Sequence, residues 1–137
     1  MKIFLDSSSF AKRFVEEEGS EEVEAICACA SELGLAVLCV PELISAFSRR
    51  RREGSLTQSQ YGMAKRRLME DIRDAEIIHL TTAVIVSSIN VLETASVRTL
   101  DALHVACALE WGAELFVSSD KRQLAAAEQA GLKIRAV

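Results

Sequence analysis

The sequence predicts an α/β fold, a three-layer α/β/α sandwich with a mainly parallel central sheet. Three observations carry this. Short apolar runs recur along the chain, "KIFL", "LAVLCV", "EIIHL", "ELFVS" and "LKIRAV", with helix-like stretches between successive runs. Strands that alternate with helices pair in parallel. Within each run the apolar residues are nearly continuous rather than alternating, as in strands covered on both faces. At 137 residues the chain has the size of one domain, and no repeat, low-complexity stretch or linker divides it.

The elements follow in order. Lys2 to Leu5 reads as a buried strand, and "SSFAKRFV" as a helix that Ser7 or Ser8 can cap. Gly19-Ser20 opens a second helix, "EEVEAICACASEL", with acids in the first turn as the helix dipole favours, and Gly34 is read as its end. "LAVLCV" is then a strand. Pro41 suits the first turn of a helix over "PELISAFSRRRR", which Gly54 breaks. Thr57 and Gln60 have the form of a capping box, and Leu56 with Tyr61 fits a hydrophobic staple around it, for a helix running to about Asp74. The strand "EIIHL", a helix over "TAVIVSSINVLE" and the helix "TLDALHVACALEWG" come next. The strand "ELFVS", the helix "DKRQLAAAEQAG" and the strand "LKIRAV" complete the chain.

Composition narrows the function classes. No apolar run reaches the ~18 residues that cross a bilayer, so no membrane partner is expected. A charged position follows Met1 within five residues, which argues against a signal peptide and for a cytoplasmic protein. Cys27, Cys29, Cys39 and Cys107 lie in apolar stretches with poor zinc spacing and read as buried reduced thiols. The net charge of −4 conceals an asymmetry: residues 49–73 hold eight Lys or Arg against three acids, a surplus of five, inside an otherwise acidic chain.

The acids fall in a pattern. Ligands of open α/β sheets bind beyond the carboxyl ends of the strands. Asp6 follows the first strand, Glu42 the second and Asp120 the fourth, and Asp101 joins them if its helix begins at the same edge. Singly, each has a plain structural use: Asp6 and Asp120 as helix N-caps, Glu42 as a first-turn acid. Together they repel, and like charges sharing a site raise one another's pKa. A divalent cation resolves the conflict. A carboxylate set without close His or Cys suits Mg²⁺ or Mn²⁺ rather than Zn²⁺. Such ions activate water and stabilise a phosphodiester transition state. Ser7, Ser8, Ser118 and Ser119 stand where hydroxyls can orient the carboxylates. His104, three residues after Asp101 but among Ala102, Leu103, Val105 and Ala106, reads as a packing histidine, as does His79.

The stretches "IFLDSSSFAKRFVEEEGSEE", "VPELISAF", "RTLDALHVACALEWGAE" and "LFVSSDKRQLAAAEQAGLKI" resemble, in order and spacing, the successive motifs of PIN-domain ribonucleases, and among these the VapC toxins of VapBC toxin–antitoxin pairs. The resemblance spans nearly the whole chain and implies a single PIN domain over 1–137. It implies an endoribonuclease dependent on Mg²⁺ or Mn²⁺, in which Asp6, Glu42, Asp101 and Asp120 hold the metal and water attacks the scissile phosphate. Ser118 stands where the last motif often has Thr. The further acid some members carry after that motif is missing, since Lys121, Arg122, Gln123 and Leu124 follow, which leaves one or two ions open. The family also implies an RNA substrate, transfer or ribosomal RNA in some members, a cognate antitoxin protein and a homodimer.

Arg49, Arg50 and Arg52 follow Glu42 by about two helical turns and are candidates for holding the RNA backbone, against the plainer reading of a solvated face. One helix cannot aim a run of four arginines in one direction. Leu43, Ile44 and Phe47, and Tyr61, Leu68 and Ile72 on the next helix, read mostly as core; in such families a groove beside these helices receives the antitoxin's C-terminal segment. Two alternatives remain: a catalytically inactive PIN module that binds RNA or a protein, and a receiver-type phosphoacceptor domain. The receiver needs an acidic pair after its first strand and an acceptor Asp after its third, where this chain has Asp6 alone and Thr81-Thr82.

Overall fold

A computed structural model describes all residues, 1–137. Five strands, β1 (Lys2–Leu5), β2 (Glu32–Ala36), β3 (Glu76–Ile78), β4 (Leu115–Ser118) and β5 (Ile134–Ala136), form one sheet in the order β3-β2-β1-β4-β5. Every pairing is parallel. The chain winds outward from β1 through β2 to β3, then returns to the other side of β1 as β4 and continues to β5. The direction reverses between β1 and β4, and a crevice opens there at the carboxyl ends of the strands.

Seven helices cover the sheet: α1 (Ser7–Phe10, continued by a 3₁₀ turn over Ala11–Arg13), α2 (Ser20–Cys29), α3 (Cys39–Glu53), α4 (Gln58–Asp74), α5 (Thr82–Thr94), α6 (Thr99–Trp111) and α7 (Lys121–Gln129). Successive strand residues bury to opposite faces, which is why the strands read as continuous apolar runs. Ile3, Leu5, Leu35 and Val117 pack with Phe10, Val23, Leu43, Phe47 and Leu68 from the α1–α4 layer. Phe4, Ala36 and Phe116 pack with Val84, Val105 and Leu124 from the α5–α7 layer. No helix is long and apolar enough to cross a membrane.

Most elements stand where the sequence predicts them. The Thr57–Gln60 capping box is present in both directions, with Gln60 N–H donating to Thr57 Oγ1 at 3.1 Å and Thr57 N–H to Gln60 Oε1 at 2.8 Å. Three boundaries differ. Asp6, not Ser7 or Ser8, is the N-cap of α1. Gly34 does not end α2; it lies inside β2, because a Cβ there would stand 2.6 Å from Cζ3 of Trp111, whose ring occupies the space. The strand therefore begins at Glu32, and α3 begins at Cys39, with Pro41 still in the first turn, where no intrahelical bond needs its missing N–H. The thiols are also less uniform than expected. Cys39 and Cys107 are buried, Cys27 is half-buried and Cys29 is exposed, at the last position of α2.

Candidate active site

Asp6 is 2% exposed, yet its carboxylate needs no ionic partner to be stable. As N-cap of α1 it accepts from Ser9 N–H at 2.9 Å. The Ser8 hydroxyl straddles both oxygens at 2.9 and 2.8 Å, and Ser118 Oγ donates to Oδ2 at 2.7 Å. The run of serines after β1 thus does for Asp6 what water does elsewhere. Ser118 also accepts Asp120 N–H at 2.9 Å and so couples the ends of β1 and β4. Asp120 caps α7: its Oδ1 accepts from Arg122 N–H at 2.8 Å and Gln123 N–H at 3.2 Å, while Oδ2 makes no hydrogen bond.

Asp101 stands in the first turn of α6, held by the fold rather than by bonds to its side chain, which has none. Gln123 Nε2 donates to its backbone carbonyl at 3.2 Å and ties the α6 and α7 N-termini together. Burial, then the charge of Asp120, holds the Asp101 carboxyl above the usual range, with Asp6 adding and His104 and Arg98 opposing. Behind the larger effect of burial, the charges of Asp120 and Asp6 add the repulsion expected of acids that share a site. Asp101 and Asp120 open together on a cleft of about 550 Å³ that Arg98, Lys121 and Arg122 also line.

Glu42 behaves differently. From α3 it reaches over the sheet edge to the opposite layer, where His104 Nε2 lies 2.6 Å from its Oε1. Ser7 Oγ donates to the same oxygen at 2.9 Å. Burial disfavours the Glu42 carboxylate, but the bonds from His104 and Ser7 outweigh it and hold its pKa below the usual value. His104 is itself 2% exposed and packs edge-on against Phe4, with ring centroids 6.5 Å apart. A carboxylate has no hydrogen to give, so Nε2 carries the one in this bond. Nδ1 is buried without a partner. The packing role read from the sequence is present, but His104 is also the anchor of Glu42. Sequence reading missed that, and it missed Ser9 and Gln123; the only signals were their positions three residues after Asp6, Asp101 and Asp120.

The basic run disperses as the helix requires. Arg49 shares a shallow cleft with Glu42. Arg50 turns to Glu17 at 3.4 Å, Arg51 lies over the Tyr61 ring at 4.5 Å, and Arg52 is exposed.

No three His, Cys, Asp or Glu side chains close on one point as a ready-made metal cage. The donor chemistry nonetheless fits a hard cation. Asp101 has no hydrogen-bond donor, one oxygen of Asp120 is unused, and the repulsion lifting Asp101 is what a cation relieves. The only imidazole nearby is already bound to Glu42, so the set does not suit zinc.

Among solved structures, the chain is similar in fold to Mycobacterium tuberculosis VapC20, described as a sarcin-ricin loop cleaving toxin: TM-score 0.70, 15% identity, 95% of each chain covered. It is similar to a toxin–antitoxin complex from Klebsiella pneumoniae, with TM-score 0.68, 12% identity and 90% of each chain covered. A third is VapBC2 from Rickettsia felis bound to a DNA fragment from their promoter, with TM-score 0.71, 12% identity, and 100% of this chain and 99% of that chain covered. No curated protein matches the sequence. The sequence matches the PIN domain over residues 3–129, most of its length: the chain belongs to the PIN domain family.

Proposed function

We propose that this protein is an endoribonuclease dependent on Mg²⁺ or Mn²⁺ and the toxin of a toxin–antitoxin pair. One observation carries the reading most directly. Asp101 and Asp120 open on one cleft beside the end of β1, and burial, then the charge of Asp120 with Asp6 adding, pushes the Asp101 carboxyl up. A protein that only binds RNA or another chain has no use for that repulsion.

Asp6, Glu42, Asp101 and Asp120 would hold the metal. When bound, the ion supplies neutralisation of the acids, activation of water and stabilisation of charge on the phosphate. The chain's own residues do the rest. Ser8, Ser9 and Ser118 fix the orientation of Asp6; Asp120 is aimed by the backbone of α7; Ser7 and His104 hold Glu42.

The toxin role draws support from the structural relatives, of which the Klebsiella structure is a toxin–antitoxin complex and VapC20 a toxin. A cleft of about 380 Å³ between the end of the first helical segment and α4, lined by Phe14, Leu56 and Met63 and edged by Arg50 and Arg67, is where an antitoxin segment would lie. The exposed apolar side chains of α5, Ile85, Val86, Ile89 and Leu92, suit a second copy of the chain.

Purified protein and its Asp101→Asn variant, incubated with total cellular RNA in EDTA, Mg²⁺ or Mn²⁺, test the reading. Discrete cleavage that requires metal and disappears in the variant is expected. Absence of cleavage by the wild type together with absence of metal binding would overturn it.

A further inference from the structure

The acidic cleft has a cationic wall that is separate from the arginine run on α3. Arg98 precedes α6, Lys121 and Arg122 occupy the first turn of α7, and all three line the cleft into which Asp101 and Asp120 open. Their placement runs against local preference. The first turn of a helix favours acids and disfavours cations, yet α7 begins with two cations and no acid beyond its cap. Nor are they spent on the acids, although the charge of Arg98 partly offsets the rise of the Asp101 carboxyl. None of the three forms an ion pair with Asp101, Asp120 or any other residue; the six ion pairs of the molecule lie elsewhere. All three are exposed, so their charge is offered outward.

We propose that Arg98, Lys121 and Arg122 form the phosphate-binding wall of the site, holding backbone phosphates of the RNA strand that flank the one cut at the acids. The proposal rests on the nuclease reading and deepens it: the strand is gripped from the α6–α7 side. Arg50 faces another groove and pairs with Glu17. Guanidinium and ammonium groups suit this task, since phosphate oxygens accept from both and no base need be read. An acidic cleft without such a wall would repel its own substrate.

The test is salt-dependent binding of a fluorescein-labelled RNA hairpin with a single-stranded tail, measured in EDTA, so that binding is read apart from cleavage. Wild type is compared with the triple variant Arg98→Gln/Lys121→Gln/Arg122→Gln and with Lys133→Gln. Lys133 is exposed and precedes β5, at the opposite edge of the sheet. A single-stranded phosphate contact contributes about 0.7 to the slope of log affinity against log salt, so losing three flattens the slope by about 2. Between 50 and 200 mM salt the wild type should then lose roughly 20-fold more affinity than the triple variant. Lys133→Gln should match the wild type, and all three proteins should melt at the same temperature.

The outcomes separate the two ideas. A flattened slope with neither cleavage nor metal binding by the wild type in Mg²⁺ or Mn²⁺ would uphold the wall and sink the nuclease. Metal-dependent cleavage with an unchanged slope in the triple variant would overturn the wall and leave the nuclease standing. A wild type that binds no RNA at all would overturn both.

Discussion

The two sides of the site are built on different principles. On the α3 side Glu42 is fastened: it accepts from a buried imidazole at 2.6 Å and a serine hydroxyl at 2.9 Å, and its carboxyl is held below the usual range. On the α6–α7 side Asp101 has no bonded partner and its carboxyl is held above that range. One acid is stabilised by the fold, and the other costs the fold something. A charge that is satisfied internally contributes to stability, whereas a charge left in want of a partner is available to a ligand. The difference shows where the protein has kept binding energy in reserve.

The largest effect that distinguishes the sides is on activity. Asp101→Asn should lower cleavage by on the order of 10²–10³-fold, since several kcal/mol of charge stabilisation depend on the acids. The same variant should keep or gain stability in urea, because it removes a carboxylate that burial and its neighbours disfavour. It should also blunt the rise in stability on adding Mn²⁺, which for the wild type reaches about 2.7 kcal/mol at a hundredfold excess over Kd. Glu42→Gln should blunt that rise less, because its carboxylate is already held by His104 and Ser7; an equal loss would break the contrast between the sides.

The converse belongs to the α3 side. His104→Ala removes the bond to Glu42 and the edge contact with Phe4, and should cost about 2–4 kcal/mol in urea unfolding. His104→Gln can restore a donor to Glu42 and should recover part of that loss. A stability change within about 0.5 kcal/mol in the alanine variant would mean that the 2.6 Å contact contributes nothing net, and Glu42 would then be free.

How much of this was legible in the sequence depends on the range of the interaction. Local features read well: the Thr57 capping box, the apolar strands and the acids after β1, β2 and β4 all follow from spacing of a few residues. The fold class followed from strand–helix alternation. What failed to read was set by distant packing. Gly34 looked like a helix stop because nothing nearby reveals that Trp111 fills the space above it. His104 looked like core because its partner lies 62 positions away on the opposite layer. Arg98, Lys121 and Arg122 are scattered singly or in pairs and were invisible beside the run at Arg49–Arg52. Only the convergence of the α6 and α7 N-termini, tied by Gln123, makes them one wall.

The smallest effect offers the finest probe of the contrast. Cys39 opens α3 one turn before Glu42 and is fully buried. Burial pushes its thiol up to about 12, with Asp6 and Glu42 adding and a bond to Ser7 opposing. Only the thiolate alkylates, so Cys39 should resist iodoacetamide at pH 8 while exposed Cys29 reacts. Cys27 and Cys107, each pushed by burial to about 11, should also be slow. Alkylation followed by peptide mass mapping therefore reads opening of the α3 side without reference to activity. His104→Ala should raise the Cys39 rate several-fold, since Glu42 and Ser7 lose the group that ties them to α6, whereas Asp101→Asn should leave it unchanged. Equal acceleration in both variants would show that the two sides open as one unit, and the distinction between a fastened acid and an available one would then hold only for the closed state.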